Sequence, residues 1–190
     1  TLFNMISEEF SSEREDLDST RRSQLKNHLL SQISNILQFL KQILDSFWGQ
    51  AISNKSAFQN PAFASIVTLA LKCISNFFGW IPLAQYVSIP LLSVVHNYTT
   101  SPNIAISIAA LSCFTEILGK PISIGAEAVL NECYRHTLSI LQNFLSQYKS
   151  MSEMENVDSD YLEKLSLLQY FFILNHLRSL EKTNFPILQF

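Results

Sequence analysis

The tetrad Ala70-Leu71-Lys72-Cys73 returns forty residues later as Ala110-Leu111-Ser112-Cys113. The residues downstream of each copy also match: Phe77-Phe78-Gly79 corresponds to Ile117-Leu118-Gly119, with Pro82 and Pro121 close behind. Self-similarity at a fixed spacing constrains a chain more than composition does, because it says that a supersecondary unit is built more than once. Around the echo, apolar residues step by three and four. Leu25, Leu29, Ile33, Ile36/Leu37, Leu40, Ile43/Leu44 and Phe47 form one stripe, while Lys26, Gln32, Lys41 and Asp45 fall largely off it. Only a helical period brings such positions together, so residues 18–48 are predicted as an amphipathic helix, capped by Asp18 or Ser19.

Punctuation residues place the other helices. Asn60-Pro61 supplies an N-cap and a first-turn proline, predicting a helix over 61–78 that stops at Gly79. A shorter helix is expected over 89–98, with Pro90 in its first turn. Ser101-Pro102 repeats the start signal for 102–118, ended by Gly119 and Pro121. Further helices are expected over 124–148 and 159–182, the last capped by Asp158 or Ser159, and an initial one over 1–10. The prediction is an all-α chain: an α-solenoid of HEAT-like antiparallel helix hairpins in a right-handed superhelical stack. Each hairpin has an apolar face that only the next hairpin covers. A four-helix bundle shares the periodicity but does not require the echo. The opening Thr-Leu-Phe-Asn and the apolar end at Phe190 are read as the cut ends of one excised segment, 1–190, of a longer array.

Composition narrows the function classes. The chain has 190 residues, 15% of them charged and 47% hydrophobic, which argues against disorder. A formal net charge of -3 offers no global basic field for nucleic acid. Four glycines leave little room for phosphate-cradling loops. Between residues 46 and 115 the only charged side chains are Lys55 and Lys72. Still, Lys72 and Asn76 interrupt the best spanning candidate, 62–80, and a central Lys costs about 2.5–3.5 kcal/mol on insertion. No membrane span is expected. Cys73, Cys113 and Cys133 form an odd set on apolar stretches, which favours a reducing compartment.

Catalytic signals are sparse. Cys133 and His136 stand one turn apart, but a second ligand pair is missing from their neighbourhood, so they read as a buried thiol beside a partly exposed imidazole. Glu132 and His136 read as a helix-surface hydrogen bond. His28, His96 and His176 each sit alone on their own helices and read as interface or solvent residues. Trp48 and Trp80 read as helix-packing anchors. No catalytic residue, metal ligand or cofactor is assigned, and an enzyme is not expected.

Particular residues carry a family likeness. Arg21-Arg22, Leu25, Leu29-Leu30, Gln32, Ile36-Leu37 and Ile43-Leu44 resemble the opening of the exportin-1-like domain of karyopherins. Ala70-Leu71-Lys72-Cys73-Ile74 through Trp80-Ile81-Pro82-Leu83 resembles that domain's central helix and turn. Ala110-Leu111-Ser112-Cys113-Phe114-Thr115-Glu116-Ile117-Leu118 resembles the helix after it, so the likeness covers 21–118. Glu13-Arg14-Glu15-Asp16-Leu17, Tyr161-Leu162-Glu163-Lys164, His176-Leu177-Arg178 and Phe185-Pro186 are similar to the branch of these receptors that carries profilin–actin. The connections 50–60 and 149–157 are short where that branch carries insertions, which weakens any transfer of cargo contacts.

The resemblance implies a nuclear export receptor, not an enzyme, shuttling between nucleus and cytoplasm. Its implied partners are GTP-bound Ran, a protein cargo and nucleoporins, without nucleic acid or cofactor. In such receptors the first helix of each hairpin lies outside and the second faces the concavity. By that analogy Asn131, Arg135, Gln142 and Lys149 are the candidate partner-facing residues. An import receptor of the same superfamily and a static HEAT scaffold are the alternatives.

Overall fold

The computed structural model describes residues 19–148, 150 and 154–182. These residues are helical, with no strand among them. The expected helix over 1–10, the Asp18 cap and the start at Phe185-Pro186 lie outside them.

The first helix, α1 (Ser19–Ser53), runs five residues beyond the expected end and leads into a 3-10 turn, Lys55–Gln59. Helix α2 (Pro61–Trp80) starts where the sequence indicates, with the Asn60 side chain accepting from the backbone N–H groups of Ala62 and Phe63 at 2.9 and 3.3 Å. It does not stop at Gly79. The helix passes through that residue and ends at Trp80, because Pro82 forces the residue before it out of the helical region: Ile81 is extended at φ -74°, ψ 151°. A four-residue turn of helix that the periodicity did not signal, α3 (Leu83–Tyr86), comes next.

Helix α4 (Ile89–Asn97) is capped by Ser88 and continues into a 3-10 turn over Tyr98–Thr100. Helix α5 (Ile104–Leu118) begins two residues later than expected, since Asn103 is the extended N-cap and Ser101-Pro102 lies ahead of it. Helix α6 (Glu127–Gln147) begins three residues late. Gly125 stands at φ +85°, a left-handed conformation that cannot continue a right-handed helix, so Ile124 is left in the connection. Asp158 caps α7 (Ser159–Phe171), accepting from the backbone of Asp160 and Tyr161 at 3.0 and 3.1 Å. The expected single helix to residue 182 is instead broken by a π turn, Phe172–His176, before α8 (Leu177–Lys182). That wider turn brings Asn175 and His176 onto the same acceptor, the Leu118 carbonyl, each at 2.9 Å.

Consecutive long helices pair in antiparallel fashion. Phe47 meets Phe63 at 4.9 Å between ring centroids at one end of α1 and α2, and the Lys26 ammonium lies 5.5 Å over the Trp80 ring at the other. Likewise Phe144 of α6 meets Tyr161 of α7, and Tyr134 meets Phe172 of the π turn that follows α7. Between pairs, the helices of the two Ala-Leu-x-Cys tetrads lie side by side and parallel. The Cys113 Sγ is 3.3 Å from the Leu71 carbonyl oxygen, and Asn103 donates to the Phe58 carbonyl at 3.2 Å. Such approach needs small residues, and Ala70, Cys73, Ala109, Ala110 and Cys113 are all buried there. The contacts run α1–α4–α6 along one row and α2–α5–α7 along the other.

The core sits between the rows, where Phe77, Phe78, Phe114, Leu71, Ile74 and Leu92 are fully buried. Each such side chain contributes about 1.5–3 kcal/mol by leaving water. Helix α2 is long and apolar enough to cross a membrane by length and composition. Here that apolar length is used in packing: Phe63, Val67, Leu71, Ile74, Phe77 and Phe78 all face protein.

Candidate functional site

Asn131, Arg135 and Gln142 are exposed on α6, and their spacing sets them on one face of the helix. Lys149 lies outside the described residues. Arg135 is held by Glu132, with 2.9 Å between guanidinium and carboxylate, while its side chain remains 59% exposed. Helix α6 packs on α4, so the strip lies in the row formed by the first helix of each pair.

Beneath the strip, α6 carries a group whose members look separate in the sequence. His96, in the last turn of α4, stacks on His136 of α6 with centroids 4.2 Å apart and ring planes 28° from parallel. Phe114 of α5 stands edge-on to both rings, at 6.3 and 5.8 Å. Glu132 Oε1 lies 3.3 Å from His136 Nε2, and the Glu132 and His136 side chains are only 16% and 13% exposed. The contact lacks hydrogen-bond geometry, and His96 Nδ1 is buried with no hydrogen-bond partner among the described residues. Burial pushes His96 down to about 4, with the neighbouring imidazole adding to the effect and Glu132 opposing it. Burial, then the Arg135 charge, lowers His136. The sequence did carry a signal: the two histidines are forty residues apart, the spacing of the tetrad echo.

His176 is likewise not alone. It is fully buried, with Nε2 2.9 Å from the Leu118 carbonyl and Nδ1 2.8 Å from the Tyr134 hydroxyl. A carbonyl only accepts, so Nε2 carries the proton and the Tyr134 O–H donates to Nδ1. Burial lowers its pKa, with the Leu118 hydrogen bond opposing. This is a structural linkage fixing the π turn to the end of α5.

The thiols are held protonated. Burial pushes Cys73 up to about 12 and raises Cys113 and Cys133 as well, so none offers a thiolate at neutral pH. Trp48 and Trp80 pack as the sequence indicated, Trp48 edge-on to Phe58 and Tyr98 and Trp80 edge-on to Phe77. At the far end of the second row, Lys120 donates to the Ile81 carbonyl at 2.6 Å, and burial lowers it to about 8. A cavity of about 390 Å³ opens between the second and third helix pairs, walled by Ile104, Ser107, Phe144, Tyr148 and Tyr161. Among the described residues no three His, Cys, Asp or Glu side chains converge to hold a metal ion.

Comparison with known proteins bears on what these rows of helices belong to. The family model for exportin 1-like protein matches residues 1–114. Exportin-6 of Mus musculus and exportin-6 of Homo sapiens are each 24% identical over 251 positions, covering 100% of this chain and 22% of the relative. Exportin-6-A of Xenopus laevis is 26% identical over 262 positions, covering 100% of this chain and 23% of its own. The chain thus spans about a fifth of the length of the curated relatives it matches. Since the matched stretches exceed 190 positions, the relatives carry residues there that this chain lacks. No solved structure matches it.

Proposed function

The chain belongs to the exportin 1-like family, and from that premise we propose that it is a segment of a nuclear export receptor built as an α-solenoid of HEAT-like hairpins in a right-handed superhelix. The complete receptor binds a protein cargo together with GTP-bound Ran in the nucleus, passes nucleoporins, and releases both ligands in the cytoplasm. Similarity to exportin-6 makes profilin–actin the cargo to test first. The observation that supports this reading best is the parallel packing of α2 on α5 at the Ala-Leu-x-Cys tetrads, with antiparallel pairs to either side.

The mechanism rests on such an arrangement. In a stack where each pair touches only its neighbours, small shifts at successive seams add into a change of curvature. Two ligands that favour the same curvature then bind cooperatively, and the coupling is reciprocal. On this segment the strip of Asn131, Arg135 and Gln142, extended in sequence by Lys149, is the proposed contact for a partner approaching the row of first helices.

The test uses the full-length protein, Ran locked in its GTP state, and profilin–actin. Ran is expected to tighten cargo binding by roughly 5–150-fold, and cargo to tighten Ran by the same factor. Ran displacing the cargo would identify an import receptor instead. Absence of Ran binding by the whole protein would leave a static scaffold.

A further inference from the structure

The contact between α4 and α6 differs from the other seams in what fills it. Its centre is the face-to-face pair of His96 and His136, closed on the third side by the edge of Phe114. Two neutral imidazoles stack comfortably at 4.2 Å, whereas a first proton places a charge where burial excludes most water, and a second places two like charges face to face. The surroundings supply only partial relief. From α6 come Glu132, whose nearer cationic neighbour is Arg135, and the Arg135 guanidinium itself. From α5 comes the uncharged Phe114 ring. On the other side of α4, α1 carries Lys41 and Asp45, which are paired with each other at 2.6 Å. The short α3, packed against α6, contributes Tyr86 as its titratable group.

We propose that the stacked His96–His136 pair is a proton-sensitive contact, at which uptake of a proton loosens α6 from α4 and so changes how the third helix pair sits on the second. The parallel ring planes also argue against the pair acting as a chelate. A metal ion binds in the plane of each imidazole, and two stacked planes do not meet at one point. A proton needs no such convergence. Opening the stack exposes both rings to water, where an imidazole binds a proton near its ordinary value of about 6.5. Inside the stack His96 is held near 4. Acid therefore favours the open form throughout that interval.

Hydrogen exchange on the full chain, corrected for the intrinsic pH dependence of exchange, tests this. Protection of amides in α4 and in the Glu132–His136 turn is expected to fall by about tenfold or more from pH 6 to pH 5, since at least the His96 ring takes up a proton on opening. Amides at the α2–α5 seam should keep their protection over the same interval. Equal loss at both seams, or none at α4–α6, overturns the proposal. The double variant His96→Phe with His136→Phe keeps an aromatic stack without titratable nitrogens, and its α4–α6 protection should be level between these pH values. Should that variant not fold, imidazole NMR of the unaltered chain decides the matter: His96 titrating near 6.5 overturns the proposal, and His96 remaining neutral through pH 5 supports it.

Discussion

The α2–α5 and α4–α6 seams each join the second helix pair to a neighbour, and the same forty-residue spacing builds both. In the first, Ala70, Cys73, Ala110 and Cys113 let the backbones approach, and the polar contact between the tetrads is a thiol 3.3 Å from a carbonyl. In the second, the spacing brings His96 onto His136, with Glu132 3.3 Å from the latter. Geometry is therefore set by the repeat, and the response to conditions by the side chains at the contact. At the tetrads the apolar seam has nothing to titrate near neutral pH, since burial keeps the Cys73 and Cys113 thiols protonated. The polar seam answers to protons.

The largest expected effect breaks the apolar seam. Leu71 is fully buried in α2, and its carbonyl receives the Cys113 thiol. Leu71→Ala should cost about 2–5 kcal/mol in urea unfolding, by lost transfer energy and a residual cavity. The loss should be the same at pH 7 and pH 5, and a pH-dependent loss would mean that the two seams are not chemically separate.

Next comes acid acting on the polar seam. His96 binds its proton near 4 when folded and near 6.5 when free, so the unfolded chain holds more protons between those values. Its contribution is complete above pH 6.5 and falls away as pH drops toward 4, a total of about 3 kcal/mol. Unfolding free energy measured from pH 7 to pH 4.5 should decline over this window. His96→Phe should flatten the decline; an unchanged slope would assign it to other groups.

Much of this division was written in the sequence, though not all in the same terms. Helix positions came from the apolar stripe of α1 and from caps such as Asn60 and Asp158, because those signals are local. The boundaries that moved depended on backbone conformation: Ile81 ahead of Pro82, Asn103 as the true cap, and the left-handed Gly125. The π turn was not legible, since its cause is two side chains reaching Leu118 from fifty-seven and fifty-eight residues away. His96 and His176 look isolated along the chain because a sequence shows neighbours in order and not across seams. Carrying the tetrad spacing over to the histidines pairs His96 with His136. For the strip on α6, the periodicity identified the exposed face of Asn131, Arg135 and Gln142, while the row that α6 joins is set by its packing on α4, which no local signal shows.

A smaller effect tests whether polar stitching also holds α1 to the second pair. The fully buried Tyr98 donates its hydroxyl to the Leu44 carbonyl at 2.6 Å. Tyr98→Phe keeps the ring, its edge-on contact with Trp48 and most of the packing. The Leu44 carbonyl keeps its bond within α1, so the cost is that of one net hydrogen bond, about 0.5–1.5 kcal/mol. A thermal-unfolding difference near zero would show that water reaches Leu44 when the hydroxyl is gone.

The smallest effect has the opposite sign and probes the loose end of the apolar seam. Gly79 is the next-to-last residue of α2, where glycine costs up to about 1 kcal/mol against alanine. A Cβ there would meet the Glu116 carboxylate oxygen at 3.2 Å and nothing else closer than 3.9 Å. That oxygen is the far end of a flexible side chain on a residue open to solvent, so it can swing aside by the few tenths of an ångström required. Burial raises the Glu116 pKa, opposed by Lys164 and Lys120, and moving the carboxyl outward relieves part of that burial. Gly79→Ala should therefore stabilise the chain by about 0.5–1 kcal/mol. A loss of stability would mean that the carboxylate is fixed over Gly79, and that the α2–α5 seam is closed at its polar end as tightly as at Cys113.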